Sequence, residues 1–327
     1  MARIAVDAWA PEYGSGADEA ALTPSDVPTD LAVEVREDEW APRRPPATVA
    51  ALADVVFVDG IRRIEAHAWV TGDDGQVSQG ICAAYAAGAV RSNGRAEVVT
   101  ARVGRGLFTR PLAGVTALET RVGRSELSYA FVPVASDQFE RLSLALQDAM
   151  GRLEAAVADD TAAAAAGAGL VLVDGPLRER HRVAGAVGYV KRHEAGYGTP
   201  VVRDTIDRLL PGERTPVFLV GDRFRRFSWY VRLPGALGGH PFAGVVRCEL
   251  APDDAPSSEV IARADQVAAT LPRFASRPHK DPRAPQNLYP VAGLERALRR
   301  RLGDPALVLR ALRATTTRVT PQATNAG

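Results

Sequence analysis

The sequence predicts an α/β fold with a mixed sheet, in which an antiparallel meander is followed by parallel strands and helices flank the sheet. Two apolar runs, DVVFVDG from Asp54 and LVLVDG from Leu170, end in Asp-Gly and are typical of strands buried on both faces. Between them, a stretch of alternating apolar and polar residues indicates half-buried strands, and a later apolar stripe indicates a helix.

Proline and small residues dominate the start of the chain. Residues 1–48 are therefore expected to form an irregular N-terminal extension, with one short strand near Leu31–Val35. Residues 49–313 form the expected main domain. Residues 314–327, rich in Thr and lacking an apolar stripe, are expected to be a frayed C-terminal tail.

The meander is predicted from alternation and from turn residues. Residues 61–70 alternate as a half-buried strand that continues the first buried strand. The turn GDDGQ leads into a second strand at 77–90, and SNGR leads into a third at 96–103. A long helix then follows, since Asp137 and Glu140 resemble a capping box before the stripe that starts at Leu142.

The second half of the chain repeats this pattern of strands before helices. After the strand at 170–175, an apolar strand is expected at 217–222, and helices are expected at 257–275 and 291–313. This order of a meander, a helix, further strands and terminal helices is that of a ribonuclease H-like domain. Other α/β domains share parts of the order, so it does not determine function.

Composition excludes several classes of protein. The 327 residues carry a formal net charge of +1, so any affinity for nucleic acid must come from the distribution of charge. Two cysteines, Cys82 and Cys248, favour a reducing compartment, and the cytoplasm is the expected location. The uncharged run Thr161–Val173 is shorter than the about 20 residues of a membrane helix, so no membrane association is expected. P-loop, H-E-x-x-H and C-x-x-C motifs do not occur in the sequence.

Two aspartates are the best candidates for chemistry. Asp59 and Asp174 each stand where an apolar strand ends in a glycine turn. Ligands gather at such strand ends, and neighbouring strands would let the two carboxylates share a divalent cation. The alternative is that each Asp-Gly pair is simply a turn.

A third carboxylate is expected because Mg²⁺ and Mn²⁺ prefer several oxygen ligands. Glu154 lies just beyond the edge of the apolar stripe of the predicted helix, where its carboxylate can lean over the sheet. An ordinary solvated helix glutamate is the alternative. Glu65 is excluded, because about six strand residues at roughly 3.3 Å each separate it from Asp59.

Basic residues form two candidate contacts for nucleic acid. The first is the segment around Lys191, a rare lysine in an arginine-rich chain, which could hold a phosphate or be a surface cation. The second, RFRRFSWYVR, interleaves arginines with aromatic residues that could stack on unpaired bases or lie in the core. The candidate nucleic-acid contacts are Arg178, Arg180, Lys191, Arg192, Arg225 and Arg226.

Taken in order, VFVDG, MGRLE, LVLVDGPL, GYVK and PQNLYPVAGLERALRRRLGD resemble the motifs of the NurA family of DNA-end-processing nucleases. The resemblance extends from about Asp54 to Asp304. It implies a ribonuclease H-like fold, dependence on Mn²⁺ or Mg²⁺, and degradation of DNA ends during repair. It also implies a homodimer that works with a HerA-type hexameric translocase ATPase.

Residue by residue, the resemblance assigns catalytic and metal-binding roles to Asp59, Glu154 and Asp174, and a catalytic role to Tyr289. Lys191 joins the catalytic candidates as a phosphate ligand. The family's histidine that follows the tyrosine would fall near Ala297, where this chain has no histidine.

The candidate substitutes for that histidine are Glu295, His279 and Asp281. Because the histidine is missing, a non-catalytic DNA-binding or ATPase-regulating subunit that keeps the nuclease fold remains an alternative. An RNA-directed ribonuclease on the same scaffold is a further alternative, since residues that read the 2′-hydroxyl carry no sequence signature.

Overall fold

The structure, a computed structural model, has a mixed α/β fold. It describes Trp9, Tyr13 and residues 25–164, 169–177, 183, 185–193, 196–197, 200–221, 224–235, 242–252 and 257–318. The strands are β1 Thr29–Asp30, β2 Asp54–Thr71, β3 Val77–Asn93, β4 Arg95–Thr109, β5 Leu118–Val122, β6 Ser125–Pro133, β7 Leu170–Asp174, β8 Val187–Val190, β9 Phe218–Val220, β10 Arg226–Arg232 and β11 Val245–Leu250. The helices are α1 Phe139–Ala164, α2 Pro200–Arg208, α3 Ser257–Thr270, α4 Tyr289–Leu302 and α5 Pro305–Arg318.

The strands form one large mixed sheet, as the alternation and the buried runs predict. Its order is β1-β9-β10-β11-β8-β7-β2-β3-β4-β6-β5. The pairs β2–β7, β7–β8 and β4–β6 are parallel, whereas β8–β11, β10–β11, β9–β10, β1–β9 and β5–β6 are antiparallel. Strands β2, β3 and β4 follow one another in the chain and lie side by side. Gly94 makes the tight turn between β3 and β4 possible, because its φ of 76° is unfavourable for other residues.

Residue contacts divide the chain into two compact units. The first unit comprises Met1–Val58, Ala89–Val99 and Ala158–Gly293. One of its cores joins aromatic and aliphatic side chains of α2, of strands β9 to β11 and of the N-terminal segment. Its buried members are Leu31, Trp40, Val202, Ile206, Leu209, Phe218, Val220, Tyr230, Phe242 and Val245.

The second unit comprises Asp59–Gly88, Thr100–Val157 and Leu294–Gly327. Successive residues of β3 enter different cores in this unit, as the period of two in a strand requires. Ile81 packs with Leu142 and Leu146 of α1, whereas Cys82 packs with Val308 and Leu312 of α5. Full burial of an aliphatic side chain contributes about 1.5–3 kcal/mol, so this part of the sheet gains stability from both helices.

The predicted stripe of α1 is confirmed as its buried face. Leu142, Leu146 and Val157 are buried, while Leu144 is 53% exposed on another face of the same helix. α1 contains 26 residues but mixes apolar with charged side chains. Within the described part of the chain, no helix is both long and apolar enough to span a bilayer.

The N-terminal segment differs in detail from its expected form. Its short strand is β1, Thr29–Asp30, and not Leu31–Val35, so that prediction was wrong. The strand ends because the Asp30 carboxylate accepts a hydrogen bond from the backbone N–H of Ala32 at 2.9 Å and forms a turn. Leu31 and Trp40 nevertheless belong to the buried core of the first unit.

The expected helix at 291–313 is divided in two, so its prediction as one helix was wrong. Gly303 follows α4 with a φ of 83°, a conformation that ends a helix. The Asp304 carboxylate then accepts the backbone N–H groups of Ala306 and Leu307, each at 2.9 Å, and caps α5. α5 extends to Arg318, into the tail expected at 314–327, and residues 319–327 lie outside the described residues.

Candidate metal centre

Asp174 is the last residue of β7 and follows a buried apolar strand. Leu170, Leu172 and Val173 are at most 2% exposed, and their burial holds the carboxylate at the end of the strand. Gly175 then turns the chain with a φ of 99° and donates its N–H to the Tyr189 carbonyl at 2.8 Å. The sequence therefore places a carboxylate at the strand end by making the strand apolar and the next residue glycine.

The two oxygens of Asp174 have different surroundings. Oδ2 accepts a hydrogen bond from the Lys191 ammonium, whereas Oδ1 is buried and has no hydrogen-bond partner. The Asp174 side chain is only 10% exposed. A buried carboxylate oxygen without a partner is costly unless another group binds it, and a cation would satisfy it.

Lys191 follows β8 and is held on the same carboxylate. Its side chain is 11% exposed, and its Nζ also donates to Asn287 Oδ1 at 3.1 Å. Asn287 in turn donates to Asp281 Oδ2 at 2.8 Å. The Tyr189 hydroxyl donates to the carbonyl of Gln286, the residue before Asn287. The pKa of Tyr189 is raised, mainly by burial and then by the charges of Cys248 and Asp174.

Asp59 lies inside β2, directly after its buried run. The prediction that it stands where a strand ends in a glycine turn was wrong, because β2 continues through Gly60 to Thr71. Val55 to Val58 are fully buried, and Asp59 itself is 5% exposed. Its Oδ1 accepts the N–H of Gly60 at 2.8 Å. In the parallel register Val58 lies opposite Val173, so the two aspartates follow paired positions of β2 and β7.

Glu154 lies on α1 with its side chain against Gly60. A Cβ placed on Gly60 would come within 2.5 Å of Glu154 Oε1 and 2.9 Å of its Cγ. Glycine at this position therefore leaves the room that the glutamate occupies. Glu154 is 8% exposed, so it is not the solvated helix glutamate that the sequence left as an alternative.

Asp59, Asp174 and Glu295 form an acidic group that could hold a metal ion. Each offers one carboxylate oxygen, and these atoms lie within 4.8 Å of one another. Two oxygens bound to one cation are separated by at most twice the metal–oxygen distance, which is about 4.2 Å for Mg²⁺ and about 5 Å for larger ions. A group whose oxygens lie within 4.8 Å is therefore of the size that one divalent cation requires. Glu154 is not a member of this group.

Glu295 was one of three candidate substitutes for the missing histidine. It lies on α4, is 6% exposed, and accepts a hydrogen bond from Arg299 at 3.2 Å. Sequence spacing alone could not choose it over His279 or Asp281, because the signal is only that it follows Tyr289 by less than two helical turns. Asp281 is used elsewhere, in the hydrogen bond with Asn287.

Tyr289 and Glu65 occupy other surroundings. Tyr289 begins α4, is partly buried, and its ring lies 5.5 Å from the Lys280 ammonium. Glu65 accepts hydrogen bonds from Arg63 and from the Tyr129 hydroxyl. These bonds explain why its carboxylate is buried without being a candidate metal ligand.

The candidate contacts for nucleic acid other than Lys191 fall into three groups. Arg178 and Arg180 lie outside the described residues, and Arg192 and Arg225 are exposed. Arg226 is directed inward, since its guanidinium donates to Glu249 at 2.8 Å. The aromatic residues beside it, Phe227, Trp229 and Tyr230, are at most 9% exposed, which matches the alternative that they belong to the core.

The structure thus defines a mixed α/β protein with clustered carboxylates on two parallel strands, β2 and β7, a class that includes metal-dependent hydrolases. A family model, NurA domain, matches residues 73–297, which is more than half of the chain. The chain belongs to the NurA family. The match includes Glu154, Asp174 and Glu295 but begins after Asp59. No curated protein gives a significant match to the sequence.

Proposed function

We propose that this protein is a deoxyribonuclease that depends on Mn²⁺ or Mg²⁺ and processes DNA ends during repair. Membership of the NurA family points to a nuclease. The observation that carries the proposal is the acidic group, in which Asp174 has a buried oxygen without a hydrogen-bond partner. The proposal includes a ribonuclease H-like fold, a homodimer, and a HerA-type hexameric ATPase as the partner.

Asp59, Asp174 and Glu295 would hold the cation. Glu154, which lies against Gly60, is the candidate ligand of a second cation. A bound cation would supply Lewis-acid activation of the phosphodiester and a water of lowered pKa. The residues of the chain do the remaining work. Lys191 keeps Asp174 oriented through Oδ2 and brings a positive charge to the place where a phosphate would lie.

Tyr289 is a further catalytic candidate on account of its position at the start of α4. Arg192 and Arg225 are exposed cations that can contact the DNA backbone, and Arg178 and Arg180 are proposed to do the same. Arg226 supports the fold through Glu249 and is a weaker candidate for a DNA contact.

The test is cleavage of single- and double-stranded DNA and of RNA in Mn²⁺, Mg²⁺ or a chelator. We expect loss of DNA only with a cation, and we expect Asp59→Asn and Asp174→Asn each to lower the rate by at least about 10³-fold. Mn²⁺ should raise the thermal unfolding midpoint of the wild type but not of these variants. Asp204→Asn, on the exposed face of α2, is the matched control and should behave as the wild type.

Cleavage that is indifferent to chelator, or that survives both substitutions, would refute the metal centre. The absence of histidine from the ERALRRR stretch favours one second candidate, a non-catalytic subunit that binds DNA or regulates the ATPase. That candidate is correct if the wild type binds DNA and the ATPase but cuts neither DNA nor RNA. Preferential loss of RNA would instead identify a ribonuclease.

A further inference from the structure

The segment before α4 holds both the backbone and the side chain of Lys191. The Gln286 amide donates to the Lys191 carbonyl at 3.3 Å, and the Tyr189 hydroxyl donates to the Gln286 carbonyl at 2.7 Å. The neighbouring Asn287 accepts a hydrogen bond from Lys191 Nζ at 3.1 Å. Two adjacent residues of one segment thus fix the end of β8 and the ammonium group that follows it.

The amide of Asn287 can serve this purpose in only one orientation. Its oxygen faces the ammonium of Lys191, which is only a donor, and its nitrogen donates at 2.8 Å to the Asp281 carboxylate, which is an acceptor. Rotation of the amide by half a turn would place its NH₂ group against the Lys191 ammonium and its oxygen against the Asp281 carboxylate, and both hydrogen bonds would be lost. Asn287 is fully buried and Asp281 is 6% exposed, so water does not easily replace these bonds.

Asp281 is itself held in place. Its Oδ1 accepts the backbone N–H of Arg283 at 2.8 Å, and its own backbone N–H donates to the Arg277 carbonyl at 3.1 Å. The result is a chain of hydrogen bonds from the Asp281 carboxylate through the Asn287 amide and the Lys191 ammonium to the Asp174 carboxylate. Charged groups stand at three of its four positions, so each bond is charge-assisted.

We propose that Asn287 is a positioning residue for Lys191, with Asp281 as its anchor. The proposal rests on the nuclease function proposed above and deepens it by assigning the device that keeps the lysine at the site. A lysine has a flexible four-carbon stem and three donors, so a single carboxylate partner leaves much of its motion unrestrained. The second acceptor, supplied by Asn287, holds the ammonium on Asp174 Oδ2.

The test exchanges the two side chains. Asn287→Asp places two carboxylates where an amide and a carboxylate stood 2.8 Å apart, and their repulsion should displace the group that holds Lys191. Adding Asp281→Asn restores a donor against an acceptor, with unchanged net charge and nearly unchanged volume. If Asn287→Asp fails to fold, the activity of the double variant alone supports or overturns the proposal.

The first readout is steady-state cleavage of single-stranded DNA in Mn²⁺. Asn287→Asp should lower kcat by about 10–100-fold, as loss of an outer partner of a catalytic group typically does, with KM changed by less than about threefold. The double variant should recover to within about tenfold of the wild type. A double variant that folds but recovers nothing would overturn the proposal.

The second readout does not depend on cleavage. Lysine occurs only at Lys191 and Lys280, so ¹⁵N-lysine labelling gives two ammonium groups, and the exposed Lys280 is the internal reference. We expect the Lys191 ammonium signal to be protected from solvent exchange in the wild type, lost in Asn287→Asp and regained in the double variant. A Lys191 signal that is unchanged in Asn287→Asp would overturn the proposal. If the wild type cuts no DNA but these signals behave as expected, the nuclease function fails while the positioning role stands.

Discussion

At the scale of single residues, Gly60 tests the role of Glu154. The φ of Gly60 lies outside the left-handed region, so Gly60→Ala introduces no backbone strain. Its new Cβ would meet Glu154 Oε1 at 2.5 Å and two further carbons of that side chain at 2.9 Å, so the glutamate must rotate away. We expect a loss of stability of about 1–3 kcal/mol, measured by urea unfolding, and a weaker rise of the unfolding midpoint with Mn²⁺.

The matched control for this substitution is Gly151→Ala on α1, the helix that carries Glu154. A Cβ at Gly151 meets nothing within 4 Å, and alanine is favoured over glycine within a helix by up to about 1 kcal/mol. Gly151→Ala should therefore stabilise the protein and leave the response to Mn²⁺ unchanged. An unchanged response in Gly60→Ala as well would remove Glu154 from the proposed metal ligands.

The acidic residues also show which members of the site could be predicted from the sequence. Asp59 and Asp174 were predictable because each ends an apolar run before a glycine, although only Asp174 ends its strand and β2 continues past Asp59. Glu295 could be proposed only as one of several substitutes, because its place depends on how α4 packs. Its presence in the acidic group, without Glu154, is decided by tertiary structure.

At the scale of elements, the segment between β1 and β2 is attached by a buried ion-pair network. Arg214, 1% exposed, donates to both oxygens of Glu34, at 2.8 and 3.0 Å, and to Asp265 of α3 at 2.7 Å. Between β1 and β2, the described residues form one short 3₁₀ helix, Glu37–Glu39. The attachment of this segment to the first unit depends on a glutamate whose partner lies far along the chain.

Removal of this guanidinium should be strongly destabilising. Arg214→Ala removes the buried guanidinium from Asp265 and from both oxygens of Glu34, which then keeps the partly exposed Arg43 at 3.4 Å. Breaking such a buried pair typically costs about 3–5 kcal/mol. Urea unfolding measures the loss. Arg36→Ala is the control, because Arg36 pairs with Asp38 and Glu39 at the surface and should change stability by less than about 1 kcal/mol. Equal losses of stability in Arg214→Ala and Arg36→Ala would contradict a stabilising role for the buried ion-pair network.

At the scale of the whole molecule, one thiol reports on each compact unit. Cys248 lies in the first unit and is fully buried, and Cys82 lies in the second and is 2% exposed. Burial, and then the charge of Glu65, raises the pKa of Cys82 to about 12, and burial raises the pKa of Cys248 strongly. Because the thiolate is the reactive form, both cysteines are expected to be inert near pH 8 in the folded protein.

We expect no reaction of either thiol with Ellman's reagent at pH 8 without denaturant, and complete reaction of both after unfolding in urea. Cys82→Ala and Cys248→Ala variants allow each unit to be followed separately through the transition. Rapid reaction of a thiol in the folded wild type would contradict the burial of that cysteine within its unit. Coincident transitions would indicate that the two units unfold together.

The sequence by itself determined the local features of this protein. Apolar runs, alternation and turn residues specify the meander, the buried strands and α1, because these signals depend only on neighbours along the chain. The same reasoning correctly placed Asp174 at a strand end and Asp59 directly after a buried run, but it missed the continuation of β2 past Asp59. Only the tertiary structure decided that Glu295 stands in the acidic group, that Arg226 turns inward, and that Asn287 holds Lys191. These outcomes depend on contacts between residues distant in sequence, which no local pattern encodes.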